Sequence, residues 1–289
     1  MAYAASGDGI GCLPEAMPLS EPGAETMVNA KEDRYERMLE PLKKRIKGAD
    51  DRKVYDQFFD SRTLMHIYSL MKAGIINTVD FPVATGKEGG VFKCTAPNGS
   101  ALAMKVYRIS NATFRSLSTY IAGDERFRGI TGNFGKTITA WVDREFVNLS
   151  RLNSTGLFVP FPVAHRGNVL VMSYLGNESG PAPLLKDYAL TSDEAKIFYA
   201  ELLSFVSGAF MDAKLVHCDL SQYNVMVFDG RTYVIDCSQG ITTRHPECMK
   251  YLKRDVDNIN RFFRSKDVKV IAVEDIMRSL AGGERIAVS

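Results

Sequence analysis

The chain has 289 residues, 45% of them hydrophobic, with 16 Phe, 12 Tyr and 36 Lys+Arg against 34 Asp+Glu for a net charge of +2. That is ample apolar chain to bury a core, so wholesale disorder and a small stapled scaffold are excluded. The near-neutral charge gives no general reason to expect nucleic-acid binding, and five scattered cysteines without a CxxC pair indicate neither a disulfide framework nor a zinc site.

In chain order, residues 1–30 are rich in Ala, Gly, Pro and Ser without a sustained period and are expected to form a flexible tail. They lack the basic-then-apolar plan of a signal peptide, and no stretch reaches the roughly 18 apolar residues of a membrane span. A cytoplasmic protein with no membrane partner is expected. Residues 31–78 are read as a helical element. Lys43, Lys44, Arg45 and Lys47 give it a basic cluster, best read as a solvated helix face, and Leu64, Ile67, Tyr68 and Met71 fall at i, i+3, i+4, i+7 before a stop at Gly74.

From about Val79 the period changes. Gly90–Cys94 and Ala101–Ile109 are two apolar stretches joined at Asn98-Gly99, a strong hairpin signal. Alternation puts Ala101, Ala103, Lys105 and Tyr107 on one face of the second strand and Leu102, Met104 and Val106 on the other. Residues 108–135 are expected to be a long insertion. Ile138–Leu152 is an amphipathic helix stopped near Gly156, with Glu145 inside its apolar stripe, where a carboxylate needs a cationic partner. A strand at Val169–Tyr174 leads through a Gly/Pro loop to a helix at Asp193–Leu215. His217–Asn224, a hairpin turning at Asp229-Gly230, and Asp236 at the end of its return strand follow, with helices filling the rest.

One ordered set carries chemistry: a Gly-rich turn, Lys105, Glu145, an apolar strand, His217-Cys218-Asp219-Leu220-Ser221-Gln222-Tyr223-Asn224, and Asp236. Phosphoryl transfer from a nucleotide needs a lysine on the phosphates, a carboxylate to orient it, two oxygen ligands for magnesium and an aspartate facing the nucleophile. Each role has a candidate in the expected order. Asp219 and Asn224 match H-x-D-x-x-x-x-N, while Asp236-Cys237-Ser238 stands where D-F-G is common. His217 reads as a structural brace. Gly135-Lys136-Thr137 resembles the end of a Walker A loop, but Ile130 stands where the first glycine is required. The phosphates are therefore placed under Thr85-Gly86-Lys87-Glu88-Gly89-Gly90-Val91.

Thr85–Phe92 (TGKEGGVF), Val171–Gly176 (VMSYLG), Pro181–Asp187 (PAPLLKD), Val216–Asn224 (VHCDLSQYN), Val234–Gln239 (VIDCSQ) and His245–Phe263 resemble the RIO family of atypical protein kinases, most closely its first subfamily. The resemblance runs from about Asp51 to Phe263. Departures are Gly89-Gly90 for the usual Ala-Asn, Cys218 for Ala and Cys237 for Val. It implies an α+β, bilobal protein-kinase-like fold with a shortened C-lobe and extra N-terminal helices, the N-lobe and hinge spanning 79–175 and the C-lobe 176–289. It also implies ATP and Mg2+ as cofactors, with Mn2+ an acceptable substitute, serine autophosphorylation, and an ATPase cycle through a phosphorylated aspartate that maps to Asp236. The implied partner is a pre-small-subunit ribosomal particle, visited as a monomer or weak dimer.

By the same resemblance Val91 and Ala103 cover the adenine from above and Met226 from below, Met172 guards the pocket, and the Ser173 carbonyl and Leu175 amide bond the base edge. Lys105 meets the phosphates, positioned by Glu145; Asn224 and Asp236 hold the metal; Asp219 orients or deprotonates the nucleophile. Only 53 residues follow Asp236, with no A-P-E segment, so a nucleotide-controlled switch is expected rather than a general protein kinase. Ser110, Ser116, Ser118 and Thr119, among Arg108, Arg115 and Arg126, are candidate autophosphorylation sites. Two other readings stay open: a small-molecule phosphotransferase of kinase-like fold, and a non-catalytic ribosome-assembly factor that binds RNA or protein through its basic helix.

Overall fold

The structure is a computed structural model and describes residues 58–86, 89–108 and 134–286. The expected tail, the basic cluster at Lys43–Lys47, Lys87 and the candidate phosphorylation sites of the insertion lie outside the described residues.

Five strands, β1 (Thr78–Thr85), β2 (Gly89–Thr95), β3 (Ala101–Tyr107), β4 (Pro162–Arg166) and β5 (Val169–Ser173), form an antiparallel sheet in the order β1-β2-β3-β5-β4. The period-2 alternation of β2 and β3 decides its two faces. Phe92, Cys94, Leu102, Met104, Val106, Val169 and Val171 point to one side and are buried with Phe58, Phe59, Ile67 and Leu70. Phe58 meets the Phe92 ring edge-on at 5.7 Å between centroids and Phe59 lies tilted against it at 4.8 Å. The helix beneath this face is α1 (Ser61–Lys72). Asp60 caps it by accepting a 2.7 Å bond from the Thr63 amide, and Thr63, Ile67 and Leu70 form its buried stripe.

Across the opposite face of the sheet runs α2 (Phe134–Ser154). Ile138, Trp141, Val142, Leu149 and Leu152 are buried along it, and so are Arg144, Glu145 and Asn148. The Walker-like Gly135-Lys136-Thr137 forms the first turn of this helix rather than a loop after a strand.

A second core is built on α3 (Ser192–Met211), β8 (Leu215–Val216), the hairpin of β9 (Val225–Phe228) and β10 (Arg231–Val234), α4 (Cys248–Arg264) and α5 (Val273–Ala281). The short pairs β6 (Gly176–Asn177) with β7 (Gly180–Pro181), and β8 with β11 (Ile241–Thr242), complete the strands among the described residues. α3 begins at a capping box in which Thr191 and Glu194 satisfy each other's amides.

Several elements differ from expectation: α2 starts at Phe134 rather than Ile138, and β1 (Thr78–Thr85) is a strand that was not expected. The helix expected to run to Leu215 stops at Met211, because Leu215 and Val216 pair with Thr242 and Ile241. β4 was not expected as a strand. It is short, starts at Pro162 and sits at the sheet edge, where a missing N–H is tolerated and the alternation is weak.

The β4–β5 turn is fastened by buried Asn168. Its Nδ2 donates to Thr63 Oγ1 (2.9 Å) and to the Tyr107 carbonyl (2.8 Å), while its Oδ1 lies 3.0 Å from His66 Nδ1. One side chain thereby links α1, the end of β3 and the sheet edge. Asn168→Ala strands buried partners at about 1–3 kcal/mol each. An overall loss of about 2–4 kcal/mol is expected by urea unfolding; a midpoint equal to wild type would show that water replaces the amide.

Candidate active site

β3 is a central strand paired on both sides, so the position of Lys105, opposite Val91 on β2 and Leu170 on β5, is fixed by the ladder. Its side chain is only 13% exposed and points away from the Phe92 core. The ammonium donates to Glu145 Oε1 at 2.9 Å and to Asp236 Oδ1 at 2.8 Å. Glu145 on α2 is fully buried, and its second oxygen accepts from the Tyr107 hydroxyl, two residues beyond Lys105 on the same strand face. The carboxylate inside an apolar helix stripe therefore has both oxygens engaged by β3.

Burial acts to lower the Lys105 ammonium, but Asp236 and then Glu145 outweigh it and hold the group well above the ordinary lysine range. For Glu145, burial dominates and pushes the carboxyl up, with Lys105 pulling it back. Asp236 goes the other way. Burial raises it, yet Lys105 and a 2.7 Å bond from Ser238 Oγ bring it down to about 2. Its side chain is 44% exposed, so a charged carboxylate opens toward the cleft.

Asp236 sits just past the return strand, which ends at Val234, and takes a left-handed conformation (φ 57) ahead of a 3-10 turn at Cys237–Gln239. The His217–Asn224 segment faces it. His217 Nε2 lies 3.1 Å from the Ile235 carbonyl, and its Nδ1 accepts from the Asp219 amide at 3.3 Å. Burial keeps this imidazole below its usual value, so it braces the loop as a neutral ring. Asn224 Nδ2 donates to both the Asp219 carbonyl (2.8 Å) and Asp219 Oδ2 (2.9 Å). With the nitrogen used twice, the amide oxygen is the atom left to offer a cation. Burial shifts the Asp219 carboxyl up, against His217 and Asn224.

A cleft of about 420 Å³ opens over these groups. Val91, Ala103, Lys105, Met172, Ser173, Leu175, Asn224, Met226 and Asp236, expected from sequence, all line it. Glu145 lies behind Lys105, and Asp219 behind Asn224, each one hydrogen bond from the lining. Thr85 and Gly86 are not lining residues; the Gly86 amide instead closes a turn on the Gly89 carbonyl at 2.8 Å. A Cβ at Gly89 would fall 2.4 Å from the Val106 carbonyl, so close strand packing alone demands that glycine.

Sequence reasoning missed the residues that hold the Asp219 loop from below. Asp255 on α4 is buried and accepts from the Cys218 amide (2.8 Å) and the Leu220 amide (3.0 Å), while Arg254 donates to the Cys218 carbonyl. Burial lifts the Asp255 carboxyl to about 7. Its signal was the same as that of Glu145, an acid among the apolar positions Leu252, Val256, Ile259 and Phe263.

The donor set suits a nucleotide and Mg2+. Magnesium is commonly held by one or two protein oxygens with phosphates and water completing its shell, and Asn224 and Asp236 supply two such oxygens beside the Lys105 cation. The apolar walls and volume of the cleft are those of a small-molecule site.

The RIO domain family matches residues 90–276. The chain is 34% identical to the RIO-type serine/threonine-protein kinase Rio1 of Haloferax volcanii, over 89% of this chain and 87% of that protein. It is 36% identical to human serine/threonine-protein kinase RIO1 over 80% of this chain and 41% of the human protein, so it spans less than half the length of that relative. Among solved structures, the Rio2 kinase-ADP/Mg2+-phosphoaspartate complex from Chaetomium thermophilum is similar, with a TM-score of 0.59 at 20% identity over 77% of this chain and 68% of that chain. The fold is accordingly an α+β fold of protein-kinase type.

The lowered Asp236 carboxyl fixes the sign of an acid response. Folded, the group stays charged at pH values where the unfolded chain takes up a proton, so its contribution is present above the ordinary range near 4 and is lost as pH falls toward 2. The difference in unfolding free energy between wild type and Asp236→Asn should be level from about pH 5 to 8 and change progressively below about 4. A difference independent of pH down to about 2.5 would contradict the assignment.

Proposed function

The chain belongs to the RIO family, and on that premise we propose that it is an ATP-dependent atypical serine/threonine kinase and ATPase. The observation that carries the reading is the Lys105 ammonium held between Glu145 at 2.9 Å and Asp236 at 2.8 Å, on the wall of a cleft shared with Asn224.

In this reading the adenine enters between Val91 and Ala103 above and Met226 below, with Met172 at the rear and the Ser173–Leu175 backbone along its edge. Residues 79–175 and 176–289 act as the two lobes around it. Lys105 meets the phosphates, and because Glu145 and Tyr107 fix one another, its stem cannot swing away. Asn224 Oδ1 and the Asp236 carboxylate would hold Mg2+, which when bound neutralises charge along the phosphates. Asp219, whose carboxyl is shifted upward while Asn224 fixes its direction, orients or deprotonates the nucleophile.

For the ATPase cycle, we assign the acceptor role to Asp236. Its carboxylate oxygen bonds the γ-phosphorus, the bond from that phosphorus to the bridging oxygen breaks and ADP leaves; a water that gives its proton to Asp219 then attacks the phosphorus of the acyl phosphate, releasing inorganic phosphate and restoring the Asp236 carboxylate. The phosphoaspartate named in the Rio2 complex supports this chemistry for the fold. The physiological setting we propose is maturation of the small ribosomal subunit, with nucleotide state controlling residence on a pre-small-subunit particle. Autophosphorylation falls on a hydroxyl among Ser110, Ser116, Ser118 and Thr119.

The test is ATP turnover with and without immature small subunits. Turnover stimulated by the particle, and reduced about 10²–10⁴-fold in Asp219→Ala, is expected for the loss of a general base. Wild-type rates in that variant, or phosphate label in Asp236→Ala that is still sensitive to hydroxylamine, would reject the assignment.

A further inference from the structure

The turn that carries Asp236 is not held by its own strand ladder. Its carbonyls turn toward α2, and two buried side chains of that helix meet them. Asn148, with no exposed surface, donates through Nδ2 to the Cys237 carbonyl at 2.9 Å and to the Gly240 carbonyl at 3.0 Å. One helical turn earlier, Arg144 donates through Nε to the Ser238 carbonyl at 3.0 Å, with its guanidinium stacked 4.3 Å over the Trp141 ring. Three carbonyls within four residues are thus captured by one helix face.

Residues 144 and 148 are i, i+4 neighbours, and Glu145 lies between them on the same helix. A closed circuit results. Glu145 holds Lys105, Lys105 holds Asp236, and the residues after Asp236 return to Arg144 and Asn148. Gly240 is shaped for this contact, since a Cβ there would stand 2.9 Å from Asn148 Nδ2.

We propose that Asn148, seconded by Arg144, is a positioning residue that sets the direction of the Asp236 carboxylate toward the metal and phosphates. α2 and the Asp236 turn therefore move as one body, and the Lys105 partner and the metal ligand cannot be displaced independently. Asn148 touches neither nucleotide nor metal; it acts through the 237–240 backbone. The inference rests on the nucleotide and Mg2+ reading of the cleft given above.

The full chain is tested as wild type, Asn148→Leu and Gly240→Ala, the second variant disturbing the same contact from the other side. Two readouts besides turnover are used: backbone hydrogen exchange across 236–241 without ligand, and ADP affinity by calorimetry in EDTA and along a Mg2+ titration. Faster exchange confined to that turn is expected. ADP affinity in EDTA should stay within about twofold of wild type, while the Mg2+ concentration for half-maximal effect rises about tenfold, as for loss of a group that orients a metal ligand. Unchanged exchange and Mg2+ response in a folded variant overturn the proposal, as does a parallel loss of ADP affinity in EDTA, which marks a merely structural residue. If Asn148→Leu fails to fold, Gly240→Ala decides on the same criteria. Absence of any Mg2+ effect in the wild type would instead reject the nucleotide reading itself, and the exchange data still decide whether Asn148 holds the turn.

Discussion

A single ammonium shared by two carboxylates organises this molecule. Lys105 comes from the middle of a sheet, Glu145 from a helix and Asp236 from a turn 131 positions after Lys105 in the chain. Neither Lys105 nor Glu145 is tolerable alone where it lies. A buried lysine or glutamate without a partner would neutralise itself or unfold its surroundings. Breaking such a group from one side leaves the others uncompensated, so the constraint acts on the whole first half of the fold and on the segment that begins the second. Its stabilising worth is modest where Asp236 opens to solvent, and its larger effect is to fix relative position.

The helix α2 converts that constraint into geometry. Its apolar stripe packs Ile138, Trp141, Val142, Leu149 and Leu152 into the interior, and the same buried side presents three polar groups with different tasks. Glu145 faces the sheet, while Arg144 and Asn148 face the turn after Asp236. On the far wall α4 performs the equivalent service for the Asp219 loop through Asp255, whose two oxygens take the amides of Cys218 and Leu220. Asp219 and Asp236 thus stand on irregular backbone braced by buried polar side chains from regular helices, which is how a loop can be held to a fraction of an ångström.

Most of this site was legible in the sequence because its residue types are improbable where they stand. A lysine on an apolar strand, an acid inside an apolar helix stripe and the His-Asp-Asn spacing each violate local patterning, and such violations concentrate at functional sites. The structure brings Lys105, Glu145, Asp219, Asn224 and Asp236 together. Both expected hairpins form: Asp229 and Gly230 make a two-residue turn with both residues left-handed, whereas Asn98-Gly99 lies within a longer loop between Thr95 and Ala101 in which only Gly99 is left-handed. What escaped was of two kinds. β1 and β4 are the two edge strands of the sheet, whose largely half-exposed side chains leave almost no alternation to read. Asn148, Arg144 and Asp255 bond to backbone carbonyls and amides far away in sequence, and nothing in the linear pattern names a backbone partner. The glycines of the expected phosphate loop show the converse, since packing against Val106 already explains Gly89.

The central claim is that Lys105 is the cation around which a nucleotide cleft is assembled. It is tested most directly by calorimetric titration of ADP with Mg2+ into wild type and Lys105→Met, a variant that keeps the length and packing of the stem while removing the charge. The prediction is saturable binding to wild type and a loss of at least about tenfold in affinity for the variant, the scale of a hydrogen bond to a charged group. Equal affinity for the two proteins, with both folded, would contradict it.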